Sequence, residues 1–223
     1  MEKANIFNNN YILLYMAQEI LLANQAQKYI GKIVSTPESQ IIKRFQEIKI
    51  KAPLVLKIIS PQVIHKTEIG GVRIARHSSE IESAFNDLTA IAKKNKLKID
   101  GILAQEFVEG QQLIIGIKKD SVFGHVILFG IGGIFTELIE DVSIRKCPIT
   151  QADAQEMLNE LKSAKLFHGF RNIKLNIQLL KDTLVAVSKI PQKHKEIKEL
   201  DINPFILNAK EGKAVDVRIV LEK

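Results

Sequence analysis

A lysine stands inside an apolar run: LVLKII, residues 54–59, sets Lys57 among aliphatic side chains. An ammonium in that setting is costly unless it is paired or faces a ligand, so Lys57 is either a ligand-facing cation or a lysine snorkelling from a sheet edge. The segment SPQVIHKTEIGGV follows, with His65, Lys66 and Thr67 in a loop that ends at Gly70 and Gly71. Bare backbone there could approach a phosphate and Lys66 could neutralise it, although a glycine pair before a strand is equally a simple turn. Near the C-terminus, ELDINP spaces Glu199, Asp201 and Asn203 at alternate positions, which on a strand project to one face, and Asp216 lies inside the apolar run AVDVRIV. Hard oxygen donors from two adjacent strands suit Mg²⁺ that bridges nucleotide phosphates while keeping waters. A solvated strand face is the competing account; it suits Glu199 and fits Asp216 poorly. FGIGG, residues 129–133, is followed by β-like sequence rather than a helix, so it reads as a tight loop and not as a dinucleotide fingerprint.

The elements that must position these residues can be read from period and punctuation. Residues 11–28 have the apolar spacing of a helix, KIVS reads as a short strand, and Thr36 before Pro37 and Glu38 reads as the N-cap of another helix. Residues 54–59 read as a buried strand ending at Ser60 and Pro61, and 72–75 as a second strand. Ile81, Phe85, Leu88 and Ala92 then mark a helix capped at Ser78 or Ser79. From Gly101 the texture becomes short β-rich runs, as in an antiparallel sheet, with a subdomain seam near Glu106. Helical spacing returns at 151–165 and 176–190, and two β runs joined by a polar turn close the chain.

With 223 residues, 46% apolar and 26% charged, the chain can bury a full core and has the composition of an ordinary globular protein. Net charge is +7. With no Trp and three Tyr, the stacking platform of a single-strand binder is weakly supported, and a solvated basic surface is the favoured reading; no nucleic-acid partner is expected. One cysteine, Cys147, allows neither an intramolecular disulfide nor a multi-cysteine zinc site and fits a reducing compartment. The apolar stretch 121–136 contains His125 and four glycines and is shorter than the roughly 20 residues of a spanning helix. The N-terminus carries a triple Asn, Glu19 and no small-residue cleavage signature, so a soluble cytoplasmic protein without membrane attachment is expected.

Three ordered blocks carry a resemblance: PLVLKIISPQVIHKTEIGGV (53–72), FGHVILFGIGGIFTELIEDVSIRKCPIT (123–150), and ELDINPF with AVDVRIVLE (199–222). Over residues 50–222 the chain resembles the β subunit of ADP-forming acetyl-CoA synthetase, an acyl-CoA synthetase of the NDP-forming type. The resemblance implies an α+β ATP-grasp fold, with the nucleotide held between two mainly antiparallel sheets, and subdomains expected at 1–105 and 106–223. It implies a nucleotide-binding set of Lys57, Ser60, Lys66, Gly70, Gly71, the hinge Glu106, Phe107 and Val108, then Gly132, Gly133 and Arg145. Asn203 and Asp216 match the Mg²⁺ ligands, with Asp201 close by. His65, helped by Lys57 and Lys66, matches a histidine that carries phosphate to and from the nucleotide site.

The implied reaction is acyl-CoA plus ADP plus phosphate giving acid, CoA and ATP through acyl phosphate and phosphohistidine, with ATP/ADP and Mg²⁺ as cofactors. CoA binding and the first phosphohistidine would belong to an α subunit, and the family suggests a heterotetramer. The chain departs from the family at Gln62 and Gln112, where an acid is usual, at Asn172, where Gly is usual, and across residues 1–50. A non-catalytic ATP-grasp module acting as a regulatory or scaffold partner is the second reading that these departures leave open.

Overall fold

The computed structural model of the chain describes residues 19–22, 26–31, 33–63, 69–132 and 141–222. The first half runs β1 (Glu19–Leu22), α1 (Gln27–Ile30), β2 (Ser39–Ile42), β3 (Leu54–Ile59), β4 (Val72–Ala75), α2 (Ile81–Lys94) and β5 (Gly101–Glu106). The second half runs β6 (Gln111–Asp120), β7 (Gly124–Ile131), β8 (Val142–Lys146), α3 (Gln151–Glu160), α4 (Ile177–Ser188), α5 (Ile190–Lys193), β9 (Ile197–Leu207), β10 (Gly212–Ala214) and β11 (Val217–Leu221). These elements form two units, residues 37–108 and residues 1–36 with 109–223.

The smaller unit is a four-stranded antiparallel sheet in the order β2-β5-β3-β4. Alternation along β3 sends Leu54, Leu56 and Ile58 to one face, where Ala84, Leu88 and Ala92 of α2 close the core with Ile42, Ile102 and Ala104. The expected strands at 54–59 and 72–75 are present, bounded by the Ser60-Pro61 and glycine signals that marked them; the expected helix is present from Ile81, but Ser78 and Ser79 lie in a 3-10 turn before it and neither caps it. The expected helix from Thr36 is instead β2. Four residues, SQII, add to β5 with Ile42 turned into the core, a pairing that no local window contains because the partner lies about sixty residues on.

The larger unit holds the sheet β1-β11-β9-β6-β7-β8, with β10 added to β9, every described pairing antiparallel. One face is covered by α3 and α4. Leu113, Ile115, Ile117, Ile127, Phe129, Leu200, Ile202 and Phe205 from the sheet meet Ala154, Met157, Leu158, Leu180, Leu184 and Val187 from the helices. Thr150 and Asp153 make a capping box that starts α3, with Thr150 N–H donating to the Asp153 carboxylate at 2.7 Å. Among the described residues no helix is long and apolar enough to cross a membrane.

Further expectations are corrected: KIVS, read as a short strand, is turn and coil over its described residues 33–35. Helix 11–28 gives way, within its described part, to strand β1, which pairs Glu19 to Leu22 with Leu221 to Arg218, before the one-turn helix α1; the rest lies outside the described residues. The expected first subdomain, 1–105, also differs. Residues up to 36 belong with the larger unit, because β1 lies on β11 and Ala26, Ile30 and Val34 enter its core. Glu106 to Val108 stay with the smaller unit: Glu106 N–H donates to Glu38 O at 2.8 Å and Phe107 N–H to Pro53 O at 3.2 Å.

Candidate functional site

In the smaller unit, Lys57 is 6% exposed and points to the sheet face opposite α2. Its cross-strand neighbours are Val72 on β4 and Leu103 on β5, with Val55 and Gln105 on the same face. A buried cation on this face is a candidate contact for an anionic group such as a phosphate. Ser60 is buried at the end of β3. Its hydroxyl donates to Lys98 O at 2.7 Å and accepts Gln62 N–H at 3.2 Å, so it closes the turn. Gln62 passes its amide oxygen to Lys98 N–H at 2.7 Å, so the departure from an acid keeps an acceptor in place. Gly71 O accepts Ile58 N–H at 3.0 Å and extends the β3–β4 ladder, while Gly70, at φ +68, occupies the left-handed conformation that favours glycine. His65 and Lys66 lie outside the described residues.

Glu106, Phe107 and Val108 come to one corner of this unit. The Glu106 carboxylate accepts Glu38 N–H at 3.2 Å, the Phe107 ring carries the Arg76 guanidinium at 5.7 Å, and Val108 is buried at the last residue before the seam. Sequence reasoning missed Arg76; its place just beyond β4, next to a polar turn, gave no signal that it would meet Phe107.

In the larger unit the carboxylates gather at an irregularity of β9. Leu113 pairs with Phe205 and Ile115 with Ile202, so Ile114 faces two residues, Asn203 and Pro204, in a bulge. Proline suits a bulge because it has no N–H to offer the ladder. Opposite it the expected continuous run AVDVRIV is broken: β10 ends at Ala214, Asp216 sits in the bend, and β11 starts at Val217. Asn203 N–H donates to Asp216 O at 3.1 Å and Val215 N–H to Pro204 O at 3.0 Å, which fixes Asp216 beside Asn203. Asp201, two residues before Asn203, lies between Gly116 and Arg218 and alternates with the core residues Leu200 and Ile202, so it points away from the helices. Asn203 is exposed, and Asp201 and Asp216 are half-buried.

This all-oxygen set fits a hard cation that keeps waters and shares phosphate oxygens. Among the described residues no group of three His, Cys, Asp or Glu could by itself cage a metal.

Arg145 is placed elsewhere. It pairs across β7 with the core residue Ile127, so it stands on the helix-covered face. There it bonds Glu160, lies 3.7 Å from Glu156 and donates to Ile144 O at 3.0 Å; the Glu160 hydrogen bond raises its pKa above the usual value. Ser143, also on that face, donates to Glu160 at 2.8 Å. Arg145 thus clamps α3 to β8 and is not brought together with Asn203, Asp201 and Asp216.

Gly132 is buried with its N–H donating to Gln112 O at 2.8 Å, and a Cβ there would lie 3.0 Å from the Leu113 backbone, so close strand approach accounts for it. Gly133 lies outside the described residues. Asp141, which sequence reasoning passed over, is buried at the start of β8, and its two oxygens accept Lys162 N–H at 2.6 Å and Ser163 N–H at 2.9 Å. A carboxylate next to an apolar strand was the available signal.

Comparison with known proteins agrees with this architecture. The model of the ATP-grasp domain matches residues 8–221. The chain is 37% identical over 198 residues to Acetate–CoA ligase [ADP-forming] I subunit beta of Pyrococcus furiosus, covering 84% of this chain and 85% of that protein. It is 45% identical over 178 residues to Acetate–CoA ligase [ADP-forming] of Methanocaldococcus jannaschii, covering 74% of this chain but only 25% of that longer protein.

Among solved structures, acetyl-coenzyme A synthetase 1 of Ca. Korarchaeum cryptofilum, in complex with coenzyme A, Ca-AMPCP and HgCl+, superposes with a TM-score of 0.86 at 38% identity, over 92% of this chain and 94% of that one. Its complex with coenzyme A and Mg-AMPPCP, with the phosphohistidine segment pointing towards the nucleotide binding site, gives 0.79 at 36%, over 91% and 93%. The chain belongs to the ATP-grasp family, as a relative of the β subunits of ADP-forming acetate–CoA ligases.

Proposed function

We propose that this chain is the nucleotide-binding part of an NDP-forming acyl-CoA ligase and moves a phosphoryl group between a phosphohistidine and ADP, for the net reaction acyl-CoA plus ADP plus phosphate to acid, CoA and ATP. The observation that carries the reading is Lys57, an ammonium 6% exposed in an apolar sheet face of a family whose solved relative was captured with nucleotide analogues. Phosphoryl transfer needs positioned charge more than covalent machinery, so the protein's task is to hold the transferring oxygens in line. Lys57 and Lys66 would neutralise the nucleotide phosphates, and the hinge Glu106, Phe107 and Val108 would hold the base and ribose. Asn203 and Asp216, with Asp201 beside them, would hold Mg²⁺, which would supply positive charge to the nucleotide phosphates. A neutral imidazole nitrogen on His65 would accept the phosphoryl group from the companion part and release it to the β-phosphate oxygen of ADP. A companion α-type part, separate or fused, would bind CoA and carry the first phosphohistidine.

Calorimetric titration of the chain with ADP, with and without Mg²⁺, tests the reading. Saturable binding that needs Mg²⁺ and is lost in Lys57→Ala is expected; His65→Asn should bind normally and fail to form ATP with the companion present. Absence of binding, with the companion present as well, would leave the scaffold role.

A further inference from the structure

The chain's excess positive charge is concentrated in one place. From Leu161 to Lys181 there is no Asp or Glu, and five Lys or Arg fall in those 21 residues, while the other 202 residues hold 27 cations against 25 acids. In the structure this stretch leaves α3, makes two short 3-10 turns, Ala164–His168 and Phe170–Asn172, and enters α4. Its base is anchored. Phe167 is buried with its ring 5.7 Å from that of Phe129, and Asp141 holds the Lys162 and Ser163 amides.

Its tip is turned outward. Phe170 is 48% and Ile173 38% exposed, and the Arg171 guanidinium lies 5.3 Å from the centre of the Phe170 ring. Two left-handed residues bracket that ring: Gly169 at φ +86 and Arg171 at φ +51. Glycine adopts this conformation freely and arginine does not. Single exposed apolar side chains are ordinary on protein surfaces. Here two of them coincide with a strained arginine and with a stretch that lacks any acid, and held strain of this kind gathers at sites of function.

We propose that the turn 161–174 is the prong by which this chain docks onto the companion part of the ligase, and that it fits an acidic surface there with an apolar socket for Phe170. The proposal rests on the reading of the chain as the nucleotide-binding part of a two-part enzyme. Arginine and aromatic side chains anchor interfaces, and a guanidinium already stacked on the ring loses little freedom on binding. Lys165 and Lys174 flank the tip and steer an acidic surface toward it. A nucleic-acid strand is disfavoured because one exposed ring offers no run of stacking platforms.

The test is assembly of the purified chain with the CoA-binding companion chain from the same genome, measured by sedimentation and calorimetry. The variant Phe170→Ala with Arg171→Gly removes both side chains while glycine relieves the backbone at φ +51, so its melting temperature is expected to stay near wild type. Its affinity for the companion is expected to fall by about tenfold or more, Lys174→Glu is expected to weaken binding further, and wild-type affinity should drop between about 0.05 and 0.5 M NaCl. ADP binding by the isolated variant should be unchanged, so a failure of nucleotide binding in wild type strikes the proposed function and not the docking measurement. The proposal is overturned if the folded variant binds the companion like wild type, if affinity is indifferent to salt, or if wild type binds a random duplex or itself and not the companion.

Discussion

Cys147 follows β8 and packs against the core of the larger unit, where burial pushes its thiol up to about 12. The thiolate is the reactive form, so at pH 8 only about one molecule in ten thousand would carry it. Labelling of the native chain with an aromatic disulfide reagent is therefore expected to run at least about a hundredfold slower than labelling in denaturant; equal rates would show that the thiol is not held in this setting. The same dependence on surroundings governs the cations. Lys57 and Arg145 are both cations within strands, yet Lys57 faces away from α2 whereas Arg145 faces the helices and meets Glu156 and Glu160. The apolar neighbours of Lys57 were visible in LVLKII. The partners of Arg145 stand on a helix eleven and fifteen residues further along, and nothing in SIRKC announces that α3 will fold back over β8.

Strands whose ends are marked by proline, glycine or serine were legible, as β3 and β4 show, because the signal and the element occupy the same few residues. The strands β1 and β2 were not, since each exists through a distant partner: Glu19 pairs with Leu221 and Ser39 with Gln105. The candidate metal corner was half legible. Asn203 and Asp216 could be named from their types, but the bulge and bend that bring them together need β6, β9, β10 and β11 all in register. Close approach is the element-level constraint at β7 and β8. A Cβ on Gly130 would lie 2.5 Å from Asp141 O and 2.8 Å from Val142 Cγ1. Gly130→Ala should push β8 outward and loosen the grip of Asp141 on the Lys162 and Ser163 amides. The expected cost is about 1–3 kcal/mol, read as a lower urea midpoint at unchanged slope. An unchanged midpoint would mean that β8 shifts freely.

Sequential order and physical unit part company in this molecule. Residues 37–108 carry their own sheet, their own helix and a core of Leu54, Leu56, Ile58, Leu88, Ile102 and Ala104, and the chain leaves and re-enters the larger unit at 36 and 109. A segment of that size buries a smaller share of its surface than a larger domain does, so its stability should be modest, yet every pairing of its described strands falls within it. Expressed alone, 37–108 is expected to fold and to melt in one cooperative transition. The larger unit cannot be cut so simply. Residues 109–223 alone lose β1 from the edge of β11 and lose Ala26, Ile30 and Val34 from the core, which uncovers apolar surface and an unpaired strand edge. Joining residues 1–36 to 109–223 through a short glycine-serine linker should restore both. That fusion is expected to melt several degrees above 109–223 alone and to aggregate less, by calorimetry and light scattering. Equal melting of the two pieces would mean that the N-terminal strand and helix add nothing to the unit on which they lie.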